Sequence, residues 1–291
     1  MAPLIFTTIE QGLIFAVLAI GVFLTYKILD IPDLSVEGTF PLGAFVFANL
    51  ALKGVNPFAA LIVVVLSGMI AGFVTAILFI KLKIKPLLAG ILTSTMLYSI
   101  NLKINAKSNV SISKAKRLYD LVIFPDNNLN KIFIMIIIVI FIKIIIDIFM
   151  KTEMGYLLKT TGDNEILVKS LGQSSDKYKI IGLMCSNGLV ALSGAIMASS
   201  QSFADISMGQ GIIVIALASI IIGDTFLRNN SIIKGTTRAI IGAVIYKIIG
   251  AIALEMGMNA QDLKLVNAVI VILFIAYNNE SSKFLARRRS R

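Results

Sequence analysis

Histidine and tryptophan are absent from this 291-residue chain, and cysteine occurs once, at Cys185. With no imidazole and a single thiol, the usual zinc ligand sets cannot be assembled and no internal disulfide can form. The apolar stretches also lack paired catalytic carboxylates, which argues against an intramembrane enzyme. No Gly-rich loop leads into Lys-Ser or Lys-Thr, so a nucleotide-binding P-loop is missing as well. The first apolar run has no basic region before it and no small-residue cleavage site after it, so it reads as a retained span. Charged residues make up only 15% of the chain.

What is present is apolar: 57% of residues are hydrophobic, and the mean hydropathy is +0.90. Runs long enough for a helix to cross a bilayer recur from end to end. The spacing predicts spans over residues 9–28, 36–52, 57–80, 86–101, 131–150, 178–200, 211–226, 239–256 and 265–277. The second, fourth, seventh and ninth fall short of the ~20 residues that a straight crossing needs, which predicts re-entrant, broken or bundle-buried helices there. The expectation is an all-α polytopic membrane protein with eight to nine transmembrane helices, built as a single domain over residues 1–291.

The net charge of +11 does not indicate nucleic acid, because the basic residues are dispersed among connections and the tail formed by Arg287, Arg288, Arg289 and Arg291. Placing residues 151–178 in the cytoplasm, with nine crossings, puts seventeen Lys and Arg inside and eight outside, as the positive-inside rule requires. The N-terminus is then outside. An eight-crossing version, with 36–52 re-entrant, moves only Lys27 and residues 30–33 to the other side.

Several polar residues interrupt this pattern. Glu37, Gly38 and Thr39 precede Pro41 at a membrane entry, where freed backbone groups must face protein or water. They line a translocation pathway or simply start an interfacial helix. Asn101 and Asn187 lie in or beside apolar runs, as interhelical hydrogen-bond partners or solute contacts. Lys247 falls mid-span, a functional candidate or a snorkelling side chain; Lys143 and Asp147 share a helical face and pair with each other. The sequence Asp33-Leu34-Ser35-Val36 is echoed by Asp205-Ile206-Ser207-Met208 on the opposite face, as inverted repeats produce. The connection 103–130 is polar and basic; outside the membrane it either receives a partner protein or is a solvated loop.

The runs Pro32-Asp33-Leu34-Ser35-Val36-Glu37-Gly38-Thr39-Phe40-Pro41-Leu42-Gly43, Pro86-Leu87-Leu88-Ala89-Gly90-Ile91-Leu92 and Leu97-Tyr98-Ser99-Ile100-Asn101-Leu102 are joined by Gly162-Asp163-Asn164-Glu165, Ser170-Leu171-Gly172 and Ser186-Asn187-Gly188. In this order they resemble permease subunits of bacterial ABC importers, in the branched-chain amino acid and ribose group, and within it the tryptophan/tyrosine-uptake type. The resemblance implies a second permease copy, cytoplasmic ABC ATPases, an extracytoplasmic substrate-binding protein and a place in the bacterial cell membrane, with no cofactor. It makes Gly162, Asp163, Asn164, Glu165, Ser170, Leu171 and Gly172 the ATPase-coupling segment, read as a short helix opened by Asp163 and Glu165. Glu37, Gly38, Thr39, Asn101, Asn187 and Asp205 become the candidate pathway. The solute is a small molecule, in the first instance an aromatic amino acid. An ion-coupled secondary transporter, with Glu37, Asp205 and Lys247 as coupling groups, is the alternative. A Pro common near the end of the last span in such permeases is missing at Tyr277-Asn278-Asn279-Glu280.

Overall fold

Helix boundaries follow local chemistry. The structure, a computed structural model, describes residues 2–120, 127–227 and 233–258, with isolated positions between 265 and 276. Helix α1 (Ala2–Phe23) continues into a π-helical turn, Leu24–Ile28, closed by the Leu29 N–H donating to the Leu24 carbonyl. After a buried turn comes α2 (Val36–Leu52), then α3 (Pro57–Ile80) and α4 (Pro86–Asn105). Pro57 and Pro86 stand in the first turns of α3 and α4, where no N–H is required, and the Asn56 side chain caps α3 by accepting from the Phe58 N–H. Strand β1 (Asn109–Ser111) precedes α5 (Asn127–Phe149). Two short helices, α6 (Glu153–Asp163) and α7 (Glu165–Ser170), lead into α8 (Ser175–Gln201). Strand β2 (Phe203–Asp205) and a 3-10 turn, Ile206–Gly209, precede α9 (Ile212–Phe226), and α10 (Gly235–Glu255) follows.

Seven of these helical stretches are long and apolar enough to cross a membrane, and α2 is a shorter apolar helix. The expected polytopic all-α architecture is therefore the one observed. The fourth span is a correction: α4 runs four residues beyond the expected end and reaches full crossing length. Asn105 is tolerated at its end because its amide donates to the Phe45 carbonyl and accepts from Asn49. The first helix also starts earlier than expected, at Ala2 instead of residue 9. The expected ninth span is described only at scattered helical positions, and the basic tail lies outside the described residues.

Helix α2 lies beside α4 and runs in the same direction. Its Gly38 packs on Ser94 and Leu97, its Phe45 carbonyl meets Asn105, and Asn49 reaches Ile104. It therefore passes from one end of the bundle to the other instead of re-entering. Close approach of backbones holds the centre: a Cβ on Gly43 would lie 1.9 Å from the Ala191 carbonyl oxygen, and one on Gly194 1.9 Å from that of Phe40. Small residues at such crossings replace the hydrophobic driving force that lipid removes.

The two halves correspond. Helix α3 packs chiefly on α8, and α10 packs chiefly on α1, so the third helix of each unit embraces the first helix of the other. Each first helix is followed by the same turn: Asp33 accepts from the Ser35 N–H and hydroxyl, and Asp205 accepts from the Ser207 N–H and hydroxyl. The turns sit at opposite ends of the bundle, which is the inverted arrangement that the tetrapeptide echo suggests. One end gathers Lys27 on Asp224, and Lys143, Lys234 and Thr236 on Asp147. At the other, β1 pairs antiparallel with β2, with Val110 opposite Ala204. The connection 103–130 is not free of contacts there: Ile112 and Leu118 are buried, and Ser199 of α8 accepts from the Leu118 N–H.

Candidate functional site

At the basic end, α6 and α7 form an elbow clamped to the bundle. Thr152 caps α6, and Gly162 lies against the end of α1 so closely that a Cβ there would come 1.9 Å from the Ile28 carbonyl oxygen. The elbow has two helices where the sequence reading expects one. Asp163 ends α6, and Asn164 caps α7 by accepting from the Ile166 and Leu167 N–H groups at 3.1 Å each.

Glu165 then ties α7 to α8. It accepts from Lys179 at 2.6 Å and from Ser175 at 3.0 Å, and pairs with Lys169 at 2.7 Å. Hydrogen bonds from Lys169 first, then from Lys179, hold its carboxyl at about 2, well below the ordinary 4.5, against a partial burial that opposes them. Ser170 turns its hydroxyl back to the Leu167 carbonyl, and Gly172 takes φ +74° to swing the chain into α8. Val168 is buried, whereas Ile166 is 79% exposed and Leu171 59% exposed, with Leu167 beside them. A well-capped helix thus presents apolar side chains outward at the end of the molecule where the cations collect.

A buried polar seam joins α2 to α8. Asn187 donates to Asp33 at 2.8 Å, and its carbonyl oxygen is reached by the hydroxyls of Thr39 at 2.7 Å and Ser35 at 3.1 Å. Thr39 and Asn187 are both fully buried and belong to this seam rather than to any open surface. Burial pushes the Asp33 carboxyl up, opposed by hydrogen bonds from Ser35 and Asn187. In sequence Asp33 and Ser35 stand out as a tetrapeptide echo and as part of a permease-like run, not as site residues; an Asp two residues before a Ser at a helix start is the signal for such a turn.

Beside the seam lies a cavity of about 180 Å³ between the start of α2, the middle of α4 and the 3-10 turn before α9. Glu37, Gly38, Pro41, Ser94, Tyr98, Asn101 and Gln210 line it. Pro41 has no N–H for the Glu37 carbonyl, and against that oxygen packs Gly209, where a Cβ would come within 1.9 Å. Asn101 donates to the Gly38 carbonyl at 3.1 Å, so it does bind helix to helix, yet its own side-chain oxygen is buried without a partner. Of the expected pathway residues, then, Glu37, Gly38 and Asn101 converge. Asp205 does not join them; it caps the 3-10 turn and accepts from Asn109 at 2.7 Å, beside the strand pair. Gln210 and Ser94 were missed because nothing in sequence places them opposite Glu37.

Lys143 pairs with Asp147, as expected. Lys247 lies over the Phe15 ring, 4.1 Å from its centroid, and reaches Gln11 at 3.4 Å, beside a cavity of about 250 Å³ between α1 and α10.

Comparison with known proteins gives consistent results. A family model described as the permease component of branched-chain amino acid transport systems matches residues 4–277. A tyrosine transport system permease protein of Clostridioides difficile is 44% identical over 94% of this chain and 91% of its own length. A ribose import permease protein of Escherichia coli is 24% identical over 95% of this chain and 85% of its own. Among solved structures, PsaBC from Streptococcus pneumoniae in complex with Fab shares the fold, with a TM-score of 0.53, 18% identity and coverage of 93% of this chain and 89% of that one.

Proposed function

Because the chain belongs to the family of permease components of branched-chain amino acid transport systems, a family of ABC importer permeases, we propose that it carries a small solute into the cell as the membrane subunit of such an importer. The whole chain acts as one permease domain in the bacterial plasma membrane. Two copies enclose the pathway, an extracytoplasmic binding protein delivers the solute, and two cytoplasmic ATPases supply the energy. The solute is an amino acid, aromatic in the first instance, as the name of the tyrosine-transport relative suggests.

The observation that carries the reading is the elbow. A helix fixed by Asn164 and by the Glu165 pairs offers Ile166, Leu167 and Leu171 to a partner at the basic end. Apolar residues that leave water at the centre of such a contact contribute to its affinity. The clamp of α6 on Ile28 passes a push on α7 to the end of α1 and so to the turn that holds Asp33 and to Glu37 in the first turn of α2. Closure of the ATPases would in this way tilt one repeat against the other, which is alternating access in physical terms.

The test is co-reconstitution of the chain with an ABC ATPase and a substrate-binding protein from the same organism, with tyrosine as the first solute. Wild type should show ATP hydrolysis stimulated by the loaded binding protein. The Ile166→Asp/Leu171→Asp variant should lose about tenfold of that stimulation or more, while its thermal unfolding stays unchanged. Substitution of Gly162 is a poorer probe, because it disturbs the clamp itself. Solute uptake driven by an ion gradient without any ATPase would sink the proposal and put the ion-coupled secondary transporter in its place.

A further inference from the structure

The cavity lined by Glu37 is rich in acceptors, and no cationic side chain lines it. Among the described residues Glu37 makes no ion pair; its carboxylate accepts only from the Gly211 N–H, at a long 3.2 Å. Asn101, fully buried, lines the same cavity with a side-chain oxygen that has no partner. The Glu37 carbonyl has lost its helical N–H to Pro41. Neither lysine nor arginine lines the space. A carboxylate and an orphaned amide oxygen held inside a bilayer are costly until something donates to them.

From this we infer that the cavity is a recognition site for an organic ammonium group, the amino head of the transported solute. An ammonium has three donors and no acceptor, and a unit charge opposite to that of Glu37. One of its N–H groups would go to Glu37 and another to Ser94 or Gln210, and the third would meet the Asn101 oxygen once that side chain turns towards the cavity. Tyr98, which is half exposed at the rim, lies where the rest of the solute would extend. At about 180 Å³ the space is large enough for the head of an amino acid. A divalent metal is a poorer fit: Glu37 is the one carboxylate lining the cavity, and among the described residues no three His, Cys, Asp or Glu side chains come together. The inference rests on the pathway reading for what the ligand is doing there, but not for its chemistry.

The experiment uses the full-length chain in proteoliposomes, with Cys185→Ser to remove the native thiol and a single cysteine introduced by Ser94→Cys or, separately, Gln210→Cys. Labelling rates are measured for two methanethiosulfonates of similar size, one trimethylammonium and one sulfonate, corrected for their rates with a free thiol. The cationic reagent should react about tenfold faster or more, and Glu37→Gln should bring the ratio close to one. Tyramine should protect the cysteine in the Glu37 background, whereas 3-(4-hydroxyphenyl)propionate, which lacks the amine, and equal potassium chloride should not. Equal rates for both reagents, a ratio indifferent to Glu37→Gln, or protection by potassium chloride alone would overturn the inference. If the ratio collapses as expected but ATP-driven tyrosine uptake is untouched by Glu37→Gln, the ammonium site stands and the pathway reading fails.

Discussion

The Glu165 knot sets a measurable acid sensitivity in the elbow. Its carboxyl titrates at about 2 in the folded protein and near 4.5 when free, a difference equivalent to about 3 kcal/mol. The side chain is 36% exposed, so solvent screening leaves roughly 1 to 2 kcal/mol for holding α7 against α8. Because the folded value is the lower one, this contribution is complete above pH 4.5 and is lost as pH falls from there towards 2. Glu165→Gln should therefore destabilise the elbow at pH 7 and make no difference near pH 2. Hydrogen exchange of peptides covering 164–180 reads this locally: opening should be about five- to thirtyfold more frequent in the variant at neutral pH. The ratio of variant to wild type, taken at each pH, cancels the intrinsic pH dependence of exchange. Identical exchange at pH 7, or a difference that persists undiminished at pH 2, would show that Lys169, Lys179 and Ser175 do not hold the elbow.

Other perturbations follow from the packing. Asp33→Asn sets two amide NH₂ groups against each other across the seam and should cost about 1 to 3 kcal/mol in thermal unfolding; the exchange Asp33→Asn/Asn187→Asp should recover at least half of that loss. Gly194→Leu forces a side chain into the Phe40 carbonyl and should separate α2 from α8, seen as loss of folded, monodisperse protein in detergent. Asp147→Asn leaves Lys143 and Lys234 without their shared acid and should lower the unfolding temperature by several degrees, whereas Lys151→Ala nearby should not.

Much of the bundle was legible in the sequence because lipid is an unforgiving solvent. Every backbone group must be satisfied within its own helix, so an apolar run bounded by Asn56-Pro57 or Lys85-Pro86 admits little else, and the limits of α2 and α3 fell where hydropathy and capping placed them. The end of α4 did not, since Asn105 reads as a stop until its Phe45 and Asn49 partners are known. The two-helix elbow was hidden for a related reason: Asn164 is as good a cap as it is a polar loop residue, and only its bonds to the Ile166 and Leu167 amides decide which.

The sequence by itself determined that this is a membrane-embedded helical protein, where most of its apolar helices lie, which end collects the cations and which family its motifs resemble. Those properties follow from hydropathy, charge and residue order, all of which are local. Only the tertiary structure decided which polar residues meet. Asn187 lies 154 positions from Asp33 and closes a seam with it, while Asp205, on equal terms with Glu37 in sequence, points to a strand pair instead. The difference is set by helices that pack in exchanged pairs, α3 on α8 and α10 on α1, and no window of sequence contains both partners of such a pair.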